Sequence, residues 1–194
     1  KDGSDFSIDP ATLPTQKTLT DLPPKYLPDR LSRHVNELTD EEMQGRGIGT
    51  SGIGKAADYI TEQFRGAGLE PINGSYQQKW VQSVLGSEKI ELTNVVGIIR
   101  GVNEDIEANP VIIGAHYDHI GVDENGILYP GADDNASGVA ALLEIARRLK
   151  NTSHQRSVIL AFWDGEERGL LGSRAYLASD GRRRRVMGAV VLEM

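Results

Sequence analysis

Three short apolar runs, at residues 111–115, 158–163 and 189–192, each break off in side chains that bind metals or move protons. The first runs into His116-Tyr117-Asp118-His119, the second into Asp164-Gly165-Glu166-Glu167, and the third into Glu193. Apolar runs without polar alternation suit strands buried on both faces. Between the first two lies a helical stripe of Val139, Leu142, Leu143, Ala146 and Leu149, and residues 169–178 read as a short helix before the third. This alternation predicts an α/β domain: a mostly parallel mixed sheet with helices on both faces, a three-layer sandwich. In open sheets of this kind, sites form outside the carboxyl ends of the strands. The polar groups that follow the three runs are therefore expected to converge.

Upstream, residues 1–29 are rich in Pro, Thr, Asp and Ser without a sustained period, and read as a lead-in to a domain spanning 30–194. A first helix is expected over 30–43. A second is marked by Ile53, Ala56, Ala57, Ile60, Phe64 and Ala67 at helical spacing, closed by Gly66 and Gly68. Strand-like stretches follow at 78–84 and 95–99. Gly47-Ile48-Gly49-Thr50-Ser51-Gly52 matches a dinucleotide fingerprint, and residues 49–55 nearly match a phosphate loop. The segment before them reads as helix and polar loop rather than strand, and Ala56 stands where the phosphate loop needs Ser or Thr, so a turn into the second helix is the better account. His34 and His154 have no acidic or histidine neighbours in sequence and read as surface residues.

The chain has no cysteine, which excludes disulfides, thiolate metal sites and a cysteine nucleophile. A net charge of −7 argues against a general nucleic-acid binder. No stretch approaches the ~20 apolar residues of a membrane-spanning helix. The chain opens at Lys1 without a hydrophobic signal core, which points to an upstream segment and so to export, to the periplasm or outside the cell. The four arginines at 182–185 read as a solvated connection.

Each polar cluster alone has an ordinary explanation. His116 and Asp118 could be a surface pair, although in an extended chain they share a side, where Asp118 can fix the tautomer with which His116 ligates a metal. Asp133 and Asp134 precede a helix and suit capping, for which Asn135 or Ser137 serves equally well. Asp134 can instead bridge two ions. Glu166 and Glu167 could form a solvated acidic turn, or diverge, one onto a metal and one held back as a base. Their joint occurrence after successive strands decides for a metal site. Imidazole with carboxylates and no thiolate suits zinc. No His-Glu-x-x-His helix and no Gly-x-Ser-x-Gly elbow is present.

GAHYDHIG (114–121), PGADDNASGVAALLEIAR (130–147), FWDGEERGLLGSRAYL (162–177) and AVVLEM (189–194), preceded by GRGIGTSGIGKAADYITEQFRGAGLEP (45–71), resemble the co-catalytic two-zinc peptidases typified by secreted bacterial leucyl aminopeptidases. Glutamate carboxypeptidase II relatives and animal glutaminyl cyclases belong to the same family. The resemblance implies that His116 and Glu193 bind one zinc, that Asp134 bridges both, and that Glu167 binds the other. It makes Glu166 the general base and Asp118 the outer partner of His116, and it implies a cis peptide after Asp134.

Two departures follow from the same resemblance. Aminopeptidases of the family usually carry Asp at the position of Glu193, where Glu is associated more with carboxypeptidase-type members. The last ligand of the family is a histidine beyond Met194, so residues 30–194 are expected to be the N-terminal part of a catalytic domain, inactive alone. The implied activity is hydrolysis of terminal peptide bonds, by an aminopeptidase first. A carboxypeptidase, a glutaminyl cyclase and, for this chain by itself, a non-catalytic metal-binding fragment are the alternatives.

Overall fold

Pro28, with no N–H to offer, starts the first helix, α1 (Pro28–Leu38), two residues ahead of its expected beginning. In this computed structural model of the chain, the described residues are 26–84, 89–103, 109–179 and 186–193. Most of the expected lead-in and the arginines at 182–185 lie outside them. The helix expected to run to residue 43 stops at Leu38, and Glu41–Arg46 forms an irregular turn with Gln44, Gly45 and Arg46 at positive φ. Helix α2 (Ser51–Ala67) follows. The Thr50 hydroxyl caps it, accepting the Ile53 N–H at 3.3 Å, and Gly68 closes it at φ 75°. The glycine-rich segment before it enters a helix from a turn and not from a strand, as a nucleotide site would require.

The main sheet contains β1 (Glu70–Pro71), β2 (Gln77–Ser83), β3 (Lys89–Ile99), β4 (Val111–His116), β7 (Val158–Trp163) and β8 (Gly188–Leu192). Its order is β1-β3-β7-β4-β8, with β2 also on β3. The sheet is mixed, as expected. Its parallel part is confined to β7, β4 and β8, the three strands that carry the motifs, whereas β1, β2 and β7 all pair antiparallel with β3. A small second sheet pairs β5 (Gly121–Val122) with β6 (Leu128–Tyr129).

Alternate residues of each strand face opposite layers. On one face Val95, Ala115, Leu160 and Phe162 pack with α1, α2 and α3 (Gly138–Leu149); Phe64 of α2 lies 5.3 Å from Phe162 between ring centres. On the other face Val96, Ile112, Ile159 and Trp163 pack with α4 (Leu171–Ala178) through Tyr176. Helices on both faces make β3, β7 and β4 a buried layer. Strand β8, at the end of the order, leaves Val190 and Val191 more than half exposed.

His34 corrects the sequence reading. It is buried between helices, bonded to the Tyr59 hydroxyl at 2.6 Å and 3.6 Å from the buried Glu144 of α3. Burial pushes the His34 imidazole below its usual range. Burial works against the charge of Glu144, but Arg147, bonded to it at 3.0 Å, holds the carboxyl below the usual range. The network joins residues distant in sequence, so no local pattern announces it. No helix among the described residues is long and apolar enough to cross a membrane.

Candidate metal centre

The carboxyl ends of β4, β7 and β8 lie side by side because His116 is in register with Trp163 and Ala115 with Leu192. Pairing continues one residue past β4, where the Tyr117 N–H donates to the Trp163 carbonyl at 3.0 Å. This brings His116, Asp118, Glu166, Glu167 and Glu193 to one edge. The turn at Ala132–Ser137 adds Asp134, and the Asp134–Asn135 peptide is cis. Asn135, fully buried, fixes that turn. Its amide donates to the Leu192 carbonyl at 3.0 Å, and its oxygen accepts the Gly138 N–H at 3.2 Å at the start of α3. Capping therefore falls to Asn135, and Asp134 is left for the site.

His116 is 1% exposed. Its Nδ1 lies 3.1 Å from the Asp118 main-chain carbonyl. A carbonyl can only accept, so Nδ1 carries a proton, and the ring would present its lone pair at Nε2 once an ion displaces the other proton. The expected Nδ1 proton is present, but its partner is the Asp118 backbone; the Asp118 carboxylate stands 3.6 Å from Nδ1. That carboxylate accepts the N–H groups of Glu166 at 3.0 Å and Glu167 at 3.1 Å, tying the exit of β4 to the exit of β7.

Nε2 of His116 lies 3.1 Å from Asp134 Oδ1 and 3.2 Å from Glu193 Oε1, yet this buried atom makes no hydrogen bond among the described residues. Donor atoms gathered at hydrogen-bond distance without hydrogen-bond geometry are arranged as ligands of a shared cation, and they are of the types zinc takes. The second Asp134 oxygen, Oδ2, is 3.6 Å from His119 Nδ1, which is itself 2.9 Å from Glu167 Oε1. Two groups could each hold an ion: His116 with Glu166 and Glu193, and His119 with Asp134 and Glu167. Without an ion, burial lowers the His116 imidazole, but the carboxylates of Asp118, Glu193 and Glu166 outweigh it and hold it at about 9. Burial, with the nearby carboxylates of Glu193, Asp118 and Glu167, pushes Glu166 above the usual carboxyl range, in the direction that favours proton transfer near neutrality.

Two participants stand outside the expected ligand set, and only the second lay in a polar string visible in the sequence. Arg46 is fully buried beneath the acids. Its guanidinium donates to the carbonyls of Leu38 at 2.6 Å and of Tyr117, Pro130 and Gly131 at 2.8 Å. Burial brings it down to about 10, and Asp118 and Asp134 pull the other way. His119 stands in the polar string after β4 but matches no position of the expected ligand set. Beside the site, a cavity of about 290 Å³ is lined by Trp163, Leu170, Tyr176, Val190 and Val191, with His116, Glu166 and Glu193 at its edge.

Fold and site together define an α/β domain with a candidate metal centre, its donor groups at the carboxyl ends of three parallel strands. A profile of Peptidase family M28 matches residues 94–194, and the chain belongs to that family. It is 51% identical over 146 residues to the probable lipoprotein aminopeptidase LpqL of Mycobacterium tuberculosis, covering 75% of this chain and 27% of that protein. A Zn-dependent exopeptidase from Parabacteroides distasonis superposes with a TM-score of 0.71 at 22% identity, over 88% of this chain and 62% of that one. Fimbriiglobus ruber glutaminyl cyclase superposes with a TM-score of 0.71 at 23% identity, over 87% and 61%. Both likenesses establish the fold. The chain spans between about a quarter and about half of the length of the curated relatives it matches.

Proposed function

We propose that the protein carrying this chain is a zinc exopeptidase that trims peptides from the amino end. The observation that supports it most is the orientation of Asp134, one oxygen toward His116 and the other toward His119 and Glu167. A carboxylate so placed can serve two ions at once. In this reading His116, Asp134 and Glu193 hold one zinc, and Asp134 and Glu167 contribute to a second. Bound zinc supplies Lewis acidity and a water acidic enough to ionise near neutral pH.

Glu166 takes the proton from the attacking water. The water oxygen adds to the scissile carbonyl carbon, and the C–N bond then breaks as Glu166 delivers the proton to the departing amine nitrogen. Asp118 holds Glu166 in place through its N–H. The apolar cavity beside Glu166 receives a substrate side chain. Likeness to a probable lipoprotein aminopeptidase supports both the choice of the amino end and export from the cytoplasm.

The test is Glu166→Gln in the zinc-loaded protein. Peptide hydrolysis should fall by at least ~10²–10⁴-fold, with zinc content by elemental analysis unchanged. A variant that keeps turnover, or loses its zinc, removes Glu166 as the base. Peptides with free and blocked amino ends separate aminopeptidase from carboxypeptidase action, and formation of pyroglutamate from N-terminal glutamine would signal cyclisation.

A further inference from the structure

We propose that Asn94 is a positioning residue for Glu166: its one side-chain amide fastens both ends of the turn that carries Glu166 and Glu167. The inference rests on the reading of Glu166 as the base and adds a residue that acts through that turn. Asn94 lies in β3 and is 1% exposed. The antiparallel ladder of β3 and β7 is in register up to Val95 and Phe162. Two residues past that pair, Asp164 falls opposite Thr93, and side chains take over from the ladder. The Asp164 carboxylate accepts the Thr93 N–H at 2.7 Å, and the Asn94 amide oxygen accepts the Asp164 N–H at 3.2 Å.

The same amide reaches the far end of the turn. Asn94 Nδ2 donates to the Gly172 carbonyl at 2.9 Å, at the start of α4. Gly172 gives its own N–H to the Asp164 carbonyl at 2.8 Å, and Leu171 gives its N–H to the Gly165 carbonyl at 3.0 Å. Residues 164–172 therefore form a loop closed at its neck, and Asn94 holds the neck from both sides. Inside the loop the Glu166 carbonyl accepts the N–H groups of Gly169 at 2.8 Å and Leu170 at 3.0 Å. A carboxylate in place of the amide would offer only acceptors, and a serine hydroxyl a single atom, so this pair of bonds asks for an asparagine. Asp118 grips the outer part of the loop from β4, through the N–H groups of Glu166 and Glu167. Asn94 fixes its base from β3. Held at both places, the Glu166 carboxyl has a set position beside His116 and Glu193.

The test begins with hydrogen exchange in the unaltered, metal-free chain. The Asn94 side-chain N–H and the N–H groups of Leu171 and Gly172 should open in one event, with equal protection. Asn94→Leu keeps the volume and removes both bonds. It should speed exchange at Gly169 to Gly172 by ~10-fold or more relative to Ile60, buried in α2, whereas a general loosening would speed both alike. In the zinc-loaded protein, compared at equal zinc content, the same variant should lower kcat by ~10–100-fold with KM nearly unchanged, the effect of a base moved by about 1 Å. Unequal protection in the unaltered chain overturns the inference, whether or not the variant folds. So does an exchange gain spread evenly over the chain, or a kcat that stays at the parent value. Turnover retained by Glu166→Gln would remove the base reading instead, while the exchange rates still decide whether Asn94 holds the turn.

Discussion

Asp118 receives the main-chain N–H of Glu166 at 3.0 Å, while its other oxygen receives that of Glu167 at 3.1 Å. The two acids are therefore aimed by a buried carboxylate on the neighbouring strand exit. Asp118→Asn keeps the shape and turns one oxygen into an NH₂ group, so two donors face each other in a buried place. The expected cost is about 1–3 kcal/mol in urea unfolding. Zinc affinity should drop by ~10–100-fold, as for other outer partners of ligands. A variant equal to the parent in both would show that the acids need no such support.

Arg46 is the only guanidinium among the described residues shown bonding carbonyls of the α1 end, the β4 exit and the turn before Asp134 together. Arg46→Met should lower stability by at least ~3 kcal/mol, because buried carbonyls lose their donors. Arg46→Lys should recover little of it, since one ammonium cannot reach three segments as a planar fork does. Recovery of most of the stability by lysine would show that charge, not geometry, matters there.

Asp164 is 2% exposed, and its Oδ1 has no hydrogen-bond partner among the described residues. Burial, with Asp118 adding, pushes it up to about 7 against the N–H groups of Thr93 and Gly165. The folded value lies above the unfolded one, so the folded chain binds the extra proton more tightly. Its contribution is complete below pH ~4 and is lost as pH rises through about 7. The metal-free chain should lose up to roughly 4 kcal/mol more between pH 4 and 8 than its Asp164→Asn variant. Equal pH slopes in chemical unfolding would contradict this.

Two glycines should respond oppositely to alanine. A Cβ at Gly172 would stand 2.3 Å from Asn94 Oδ1 and 2.6 Å from the Asp164 carbonyl, so Gly172→Ala should cost about 1–3 kcal/mol. Gly54, on the exposed side of α2, has nothing within 4 Å of that position. Gly54→Ala should stabilise by ~0.5–1 kcal/mol through helix propensity. Thermal unfolding of the pair reads both signs.

Most of the architecture was legible because burial writes a local pattern. The apolar runs became β4, β7 and β8, and the stripe from Val139 to Leu149 became α3. His116, Asp134, Glu166, Glu167 and Glu193 were visible because each stands at or near the end of an element. Arg46 and His34 were not, since their partners lie on segments that only the fold brings near. Even the Asp118 partnership differed in detail. Two-residue spacing puts its carboxylate on the side of His116, but the N–H groups of Glu166 and Glu167 draw it away.

Strand β8 ends at Leu192, one residue before Glu193, and pairs only with β4 among the described residues. A donor one residue past the strand takes its position from the β4–β8 pairing, which holds Leu192 opposite Ala115 just ahead of His116. A substitution that loosens that pairing should therefore weaken the hold of His116 and Glu193 on a shared ion as well.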